Sequence, residues 1–297
     1  MKNPALVSII TINFRDASIT CALLDSLAHH DYPNIEVIIV DNGSLEDKTE
    51  QFQRHYPTVN VLISKENRGF AGGNNLGIQA AKGDFLFFVN NDTIFEDGLI
   101  QNCLDAFTTP DIGVIAPKIR YFNYPDIIQY AGFTEVNPLT ARGFTIGDKE
   151  KDLGQYDERK EVPYAHGAAM MLKREVVEKI GEMPDLYFLY YEELDWCVQI
   201  RRLGYKIMFE PSAVILHKES MSVGKMSALK TFYLTRNRIL FMRRTAKWYH
   251  LVLFSLFFIL VTFPRWVITY LLKREWDHLK AFVRASLWNI GIGKASF

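Results

Sequence analysis

Leu6-Val-Ser-Ile-Ile-Thr-Ile12, closed by the amide of Asn13, is the stretch whose reading decides the fold. It is a β-branched run without polar alternation, which suits a strand covered on both faces. Similar runs recur at residues 35–40, 59–63 and 85–89, and amphipathic stretches occupy residues 18–29, 46–55 and 72–82. The alternation predicts βαβ units, and hence an α/β fold built on a mostly parallel sheet flanked by helices. In open sheets of this kind ligands sit beyond the carboxyl ends of the strands, so the residues that follow each strand are the ones to inspect.

Those residues are polar at every strand. The first strand ends in Thr11-Ile-Asn13 and the second in Asp41-Asn-Gly-Ser44. The third leads to Asn67-Arg-Gly-Phe70, and the fourth ends in Asn90-Asn-Asp92. Taken alone, Asp41-Asn-Gly-Ser44 also reads as a turn with a helix cap. Its place after a buried strand is what turns attention to a ligand.

Between residues 116 and 162 the pattern loosens into Tyr, Asn, Pro and Gly without a sustained period, which predicts irregular strands and loops over the sheet. Regularity returns with a strand at 167–172, helices at 174–180 and 192–203, and two short strands at 205–209 and 213–216.

Lys plus Arg and Asp plus Glu both number 34, so the overall charge points to no nucleic acid partner. The charges are unevenly placed, however: after Glu219 the next acid is Glu275, and ten Lys or Arg lie between. Cys21, Cys103 and Cys197 form no CxxC pair and each falls in a helical stretch, which argues for a reducing compartment. The first residues carry no apolar signal segment, so the catalytic part is expected to stay in the cytosol.

The chain resembles the family 2 glycosyltransferases of the GT-A-type fold, in particular the bacterial rhamnosyltransferase-like members, over roughly residues 5–245. The resemblance rests on Val7-Ser-Ile-Ile-Thr-Ile-Asn13, Val40-Asp-Asn-Gly-Ser44, Asn67-Arg-Gly-Phe-Ala-Gly-Gly-Asn-Asn-Leu-Gly77, Asn90-Asn-Asp92, Tyr191-Glu-Glu-Leu-Asp-Trp-Cys197 and His217, in the family's order. It implies an inverting, hexosyltransferase-type enzyme that takes sugar from a dTDP- or UDP-linked donor. Thr11, Asn13, Asp41, Asn42, Arg68, Gly72, Asn74, Asn91 and Asp92 would then border the nucleotide sugar. Gly72 and Gly73 would open a helix whose N–H groups favour phosphate.

The resemblance also places Asn90-Asn-Asp92 where the family carries a DxD motif. With Asn at the first position, Asp92 alone supplies full charge there, so Mg²⁺ or Mn²⁺ would lean on phosphate oxygens, with His217 as a further ligand. The implied general base is Glu193, with Glu192 and Asp195 in reserve, since an attacking hydroxyl must lose its proton to a nearby carboxylate. A nucleotidyltransferase is excluded by the glycine-free Asn13-Phe-Arg-Asp-Ala-Ser, which lacks a triphosphate-gripping loop. A catalytically inactive nucleotide-sugar-binding scaffold at the membrane is the alternative, and the retained Asp92, Glu192, Glu193 and Asp195 weigh against it.

Two regions are expected, a catalytic domain over residues 1–219 and a basic, apolar helical segment over residues 220–297. Residues 251–263 are apolar apart from Ser255 and Thr262, and thirteen helical residues reach roughly 20 Å, short of a bilayer's ~30 Å core. Pro264 and Arg265 then interrupt the run. Interfacial or re-entrant helices are therefore expected at the cytoplasmic face of a membrane, peripheral or monotopic. Trp248, Tyr249, Trp266, Tyr270 and Trp276 would lie at headgroup depth beside a lipid-linked saccharide acceptor used in cell-surface polysaccharide synthesis. Packing of this segment on the catalytic core or on a second copy, as a homodimer, is the competing reading.

Overall fold

The computed structural model describes residues 4–218 and 227–291 of the chain. Its first half follows the expected alternation: β1 (Val7–Asn13), α1 (Ala17–Ala28), β2 (Ile35–Asn42), α2 (Thr49–His55), β3 (Asn60–Ser64), α3 (Gly69–Ala80) and β4 (Phe85–Val89). Asp16 starts α1 by accepting the Ser18 N–H, so the chain turns at once after the first strand. β1 pairs in parallel with β2 and with β4, and β2 in parallel with β3. All four carboxyl ends therefore point the same way.

α3 opens at Gly69, three residues ahead of the expected start at Gly72. The Asn67 side chain accepts the Gly69 N–H at 2.8 Å, and Gly69 has φ +73°, where a Cβ would collide with the Phe188 carbonyl. A Cβ at Gly73 would come within 2.8 Å of the Ile12 side chain, so this glycine lets α3 lie directly on β1.

The second half contains β5 (Thr93–Phe95), α4 (Leu99–Asp105), β6 (Ile112–Tyr121), β7 (Tyr124–Tyr130), β8 (Lys160–Glu161), β9 (Ala169–Lys173), α5 (Arg174–Ile180), α6 (Glu192–Arg202) and β10 (Lys206–His217). The sheet runs β3-β2-β1-β4-β9-β6-β10-β5, with β7 on β6 and β8 on β10. It is mixed, because β9 is inserted antiparallel between β4 and β6. The loose 116–162 region holds much of β6, a buried strand in the middle of this sheet, and all of β7. The two short strands expected at 205–209 and 213–216 are one strand, β10, bulged after Glu210 where Pro211 has no N–H to give.

Four helices follow: α7 (Ala228–Thr245), α8 (Trp248–Phe257), α9 (Phe263–Leu272) and α10 (Trp276–Trp288). The expected boundary near residue 219 falls among residues outside the described set, and α7 beyond it packs into the main core through Leu240, Phe241 and Met242. Pro264 and Arg265 interrupt the apolar run but not the helix. A π-helical stretch, Phe258–Thr262, joins α8 to α9 just ahead of Pro264, and this wider turn accommodates a residue that has no N–H to give. The result is a continuous 25-residue helix, Trp248–Leu272, of mean hydropathy 2.2 and only 11% buried over its most apolar window. It runs back along α7. Phe258 lies under the guanidinium of Arg238, and Tyr270 stacks on His278, which hydrogen-bonds Thr231 near the start of α7. α10 then returns parallel to α7, with Asn289 against Arg236 and Arg243.

Candidate active site

The strand ends are tied together by a chain of side-chain hydrogen bonds. Asn91 after β4 donates to Thr20 on α1 at 2.9 Å, Thr20 to Asn13 at 2.7 Å, and Asn13 to Asp41 at 3.0 Å. Ser44 also donates to the same Asp41 oxygen. The relay fixes three strand ends relative to one another and surrounds Asp41 with donors. Thr20 has no polar neighbour in sequence to mark it for this role.

Not every expected donor contact takes part. Thr11 is fully buried one pleat beneath Asn13, and its hydroxyl makes no hydrogen bond. Asn42 acts as a strut: its nitrogen bonds Asn67 and the Gly69 carbonyl, and its oxygen accepts the Arg68 N–H. Asn74 is buried and bonds back to the Phe70 carbonyl. Gly72 packs against the stem of Arg68, and both line a cleft with Glu182 and Asp185 on the α3 face that carries Asn75 and Gln79. The first two N–H groups of α3 are already used, Gly69 by Asn67 and Phe70 by the Phe188 carbonyl.

Asp92 and His217 meet because β5 and β10 pair antiparallel, with Thr93 opposite His217. His217 Nε2 lies 2.9 Å from Asp92 Oδ1, and His217 Nδ1 lies 2.8 Å from Gln129 Oε1 on β7. The Gln129 oxygen accepts, so the proton of a neutral ring sits on Nδ1 and the Nε2 lone pair faces a carboxylate. Two electron-rich atoms at that distance require a proton or a cation between them. The donor set, one carboxylate, one imidazole and the neighbouring Asn90 amide, suits a divalent ion that completes its shell with phosphate oxygens and water. Among the described residues no group of three or more His, Cys, Asp or Glu converges on one point. Nothing in the sequence marks Gln129 or His166, whose ring centroid lies 6.4 Å from that of His217. Burial, with His217 beside it, brings the His166 pKa down to about 3 and keeps that ring neutral.

The three acids of α6 have separate fates. Asp195 is buried and accepts from Tyr187 at 2.7 Å, Gln199 at 2.9 Å and Arg244 at 2.5 Å, which commits it to holding α6 and α7. Glu192 is buried, one of its oxygens lacks a partner, and burial pushes its pKa well above the usual carboxylate range. Glu193 is half-buried and faces a cavity of about 240 Å³ shared with Tyr164, Tyr190, Tyr191 and Arg142. Burial raises its pKa to about 7, while helix N-terminal amides pull the other way. Of the three, Glu193 alone is both open to a cavity and poised to exchange a proton near neutrality.

A profile of glycosyl transferase family 2 matches residues 8–181, and the chain belongs to this family. Among similar proteins, Uncharacterized protein y4gI of Sinorhizobium fredii is 26% identical over 75% of this chain and 26% of its own length. The low-salt glycan biosynthesis hexosyltransferase Agl10 of Haloferax volcanii is 26% identical over 69% of this chain and 66% of its own. The N-acetylglucosaminyl-diphospho-decaprenol L-rhamnosyltransferase of Mycobacterium tuberculosis is 24% identical over 64% and 69%. The chain thus spans about a quarter of the first protein and about two thirds of the others.

Two solved structures share the fold. The mannosyltransferase PcManGT from Pyrobaculum calidifontis, in complex with GDP-Man and Mn²⁺, superposes with TM-score 0.59 at 16% identity, over 99% of this chain and 77% of that one. GalNAc-T7 with UDP, GalNAc and Mn²⁺ superposes with TM-score 0.66 at 14% identity, over 82% and 48%. The architecture is that of the GT-A-type glycosyltransferases, a mixed α/β sheet flanked by helices.

Proposed function

We propose that this chain is an inverting glycosyltransferase that passes a sugar, with rhamnose the leading candidate, from a UDP- or dTDP-linked donor to a hydroxyl of a lipid-linked saccharide at a membrane surface. The observation that carries the reading is Glu193, a carboxylate with a pKa of about 7 that faces a cavity walled by Phe133, Arg142, Tyr164 and Tyr191, in a chain with a GT-A-type sheet. The acceptor oxygen attacks the anomeric carbon, its proton passes to Glu193, and the bond from that carbon to the diphosphate breaks with its electron pair leaving on phosphate. Asp92 and His217 would hold Mg²⁺ or Mn²⁺, whose charge offsets that growing on the leaving diphosphate. Asn13, Asp41 and Asn91 would form the polar floor for the nucleotide. The names of the Mycobacterium rhamnosyltransferase and the Haloferax hexosyltransferase favour a hexose or deoxyhexose donor and, for the former, a lipid diphosphate acceptor.

Membrane attachment is supported by the helix Trp248–Leu272, with Ile259 64%, Leu260 70% and Leu272 80% exposed. At roughly 1.5 Å per residue it is long enough to cross a ~30 Å hydrocarbon core. Its packing argues for an in-plane position instead: it lies along α7, itself part of the catalytic core, so a crossing would drag that core into lipid. The deciding experiment is a thermal-shift and turnover screen of the full chain across nucleotide sugars with Mg²⁺ and Mn²⁺. One donor that both stabilises the protein and is consumed supports the reading. Nucleotide sugar that stabilises without turnover across lipid-linked acceptors would favour the inactive scaffold.

A further inference from the structure

Next to the Glu193 cavity lies a second one, of about 220 Å³, and the two share Arg142, Tyr191 and Leu234 as a common wall. The far side of the second cavity is made by Trp266 and Tyr270, both on the exposed apolar helix. Its lining contains two arginines and no carboxylate. Arg238, from α7, is only 7% exposed. Its Nε is buried without a hydrogen-bond partner, its guanidinium lies 5.5 Å from the Phe258 ring, and Tyr191 and Tyr270 are near enough to act on its charge. Arg142 is exposed and, among the described residues, makes no side-chain hydrogen bond or ion pair. Its loop is pinned by the Tyr191 hydroxyl, which donates to the Ala141 carbonyl at 3.1 Å. Burial, reinforced by Arg142, lowers the proton affinity of Arg238. A guanidinium so nearly buried beside a second cation is costly unless an anion joins them.

We propose that Arg142 and Arg238 seat a phosphate or diphosphate group carried on an apolar chain, the lipid end of the acceptor whose sugar faces Glu193. This deepens the acceptor half of the function proposed above and rests on it. Guanidinium groups pair with phosphate oxygens through two parallel N–H donors, and the unpartnered Arg238 Nε is one such donor. The apolar chain would leave past Trp266 and Tyr270 into the surface in which the long helix lies. The order of groups, base, shared wall, cations, apolar helix, matches the order of an acceptor read from sugar to phosphate to lipid.

The test is direct binding to the full-length protein in detergent, by calorimetry, of three probes: farnesyl diphosphate, inorganic pyrophosphate and farnesol. The expected result is at least tenfold tighter binding of farnesyl diphosphate than of either other probe, and at least a tenfold loss in Arg142→Gln and in Arg238→Gln. UDP and dTDP binding should be unchanged in both variants. Since Arg238 is buried, the exposed Arg142→Gln gives the answer if Arg238→Gln does not fold. Unchanged affinity for farnesyl diphosphate in Arg142→Gln would overturn the proposal, as would a parallel loss of nucleotide binding, which would place the arginines on the donor. Pyrophosphate bound as tightly as farnesyl diphosphate would overturn the lipid assignment in favour of a free anion. No donor sugar or turnover enters these measurements, so they succeed or fail independently of the glycosyltransfer reading.

Discussion

His217 Nε2 lies 2.9 Å from Asp92 Oδ1 across 125 residues of sequence, and the β5–β10 pairing brings them there. If the pair holds a divalent ion, Asp92→Ala and His217→Ala should each raise the Mn²⁺ concentration for half-maximal turnover at least tenfold and cut the rate at saturating metal about a hundredfold. Metal titrations of both variants check this. An unchanged metal dependence in Asp92→Ala would remove the pair from the role.

Glu193→Gln should leave nucleotide affinity intact while lowering turnover about a hundredfold or more, since a positioned base contributes roughly 10²–10⁴-fold. In the unmodified protein, a base with a pKa of about 7 is protonated below that pH and ionised above it. kcat/KM should therefore rise through pH 7 toward a plateau, and the rising limb should vanish in Glu193→Gln. A flat profile in the unmodified protein would move the base elsewhere.

Asp195→Asn should behave as a lesion in packing. It weakens the hold on Arg244 and Tyr187, and with Arg244 partly open to solvent the cost should be on the order of 1–3 kcal/mol. Calorimetry should show a Tm lower by several degrees, with turnover per folded molecule kept within about threefold at a temperature below the transition. A hundredfold loss of rate in a fully folded variant would restore Asp195 as a candidate base.

Ile259→Glu with Leu260→Glu places two charges on the outer face of the long helix, where both native side chains are mostly exposed. Each charge set into the apolar boundary costs about 2–4 kcal/mol at full depth and less near the interface, so flotation with anionic vesicles should fall at least tenfold while Tm is unchanged. Equal flotation of the variant would show that another surface holds the membrane.

The β1–β4 half was legible because parallel strands write continuous apolar runs, and polar residues closing β1, β2 and β4 enter the relay from Asn91 through Thr20 to Asp41. The other half was not. β6 carries Pro117 and sits between elements without a shared period, and an apolar run does not state the direction in which β9 is inserted. The glycine pair Gly72-Gly73 reads in the sequence as the opening of α3, whereas the Asn67 side chain on the Gly69 N–H and the left-handed Gly69 open it three residues earlier. The motif Tyr191-Glu-Glu-Leu-Asp-Trp offers three acids, and only packing shows that Asp195 is spent on Arg244. Pro264 misled because a π-helical turn can absorb it, which local propensity does not reveal.

The segment before Glu193 is held chiefly by α7. Phe188, Tyr190 and Tyr191 have φ of +65°, +70° and +77°, and the Asn237 amide on α7 reaches the carbonyls of Tyr187, Leu189 and Tyr190 at 2.9, 2.7 and 2.8 Å. Arg236 fastens the Leu186 and Tyr187 carbonyls from the same helix. The backbone leading to Glu193 is thus fastened to α7 through Arg236 and Asn237, and to the start of α3 through Phe188. A shift of α7 would therefore reach Glu193 and, through the Phe188 carbonyl that accepts the Phe70 N–H, the start of α3 as well.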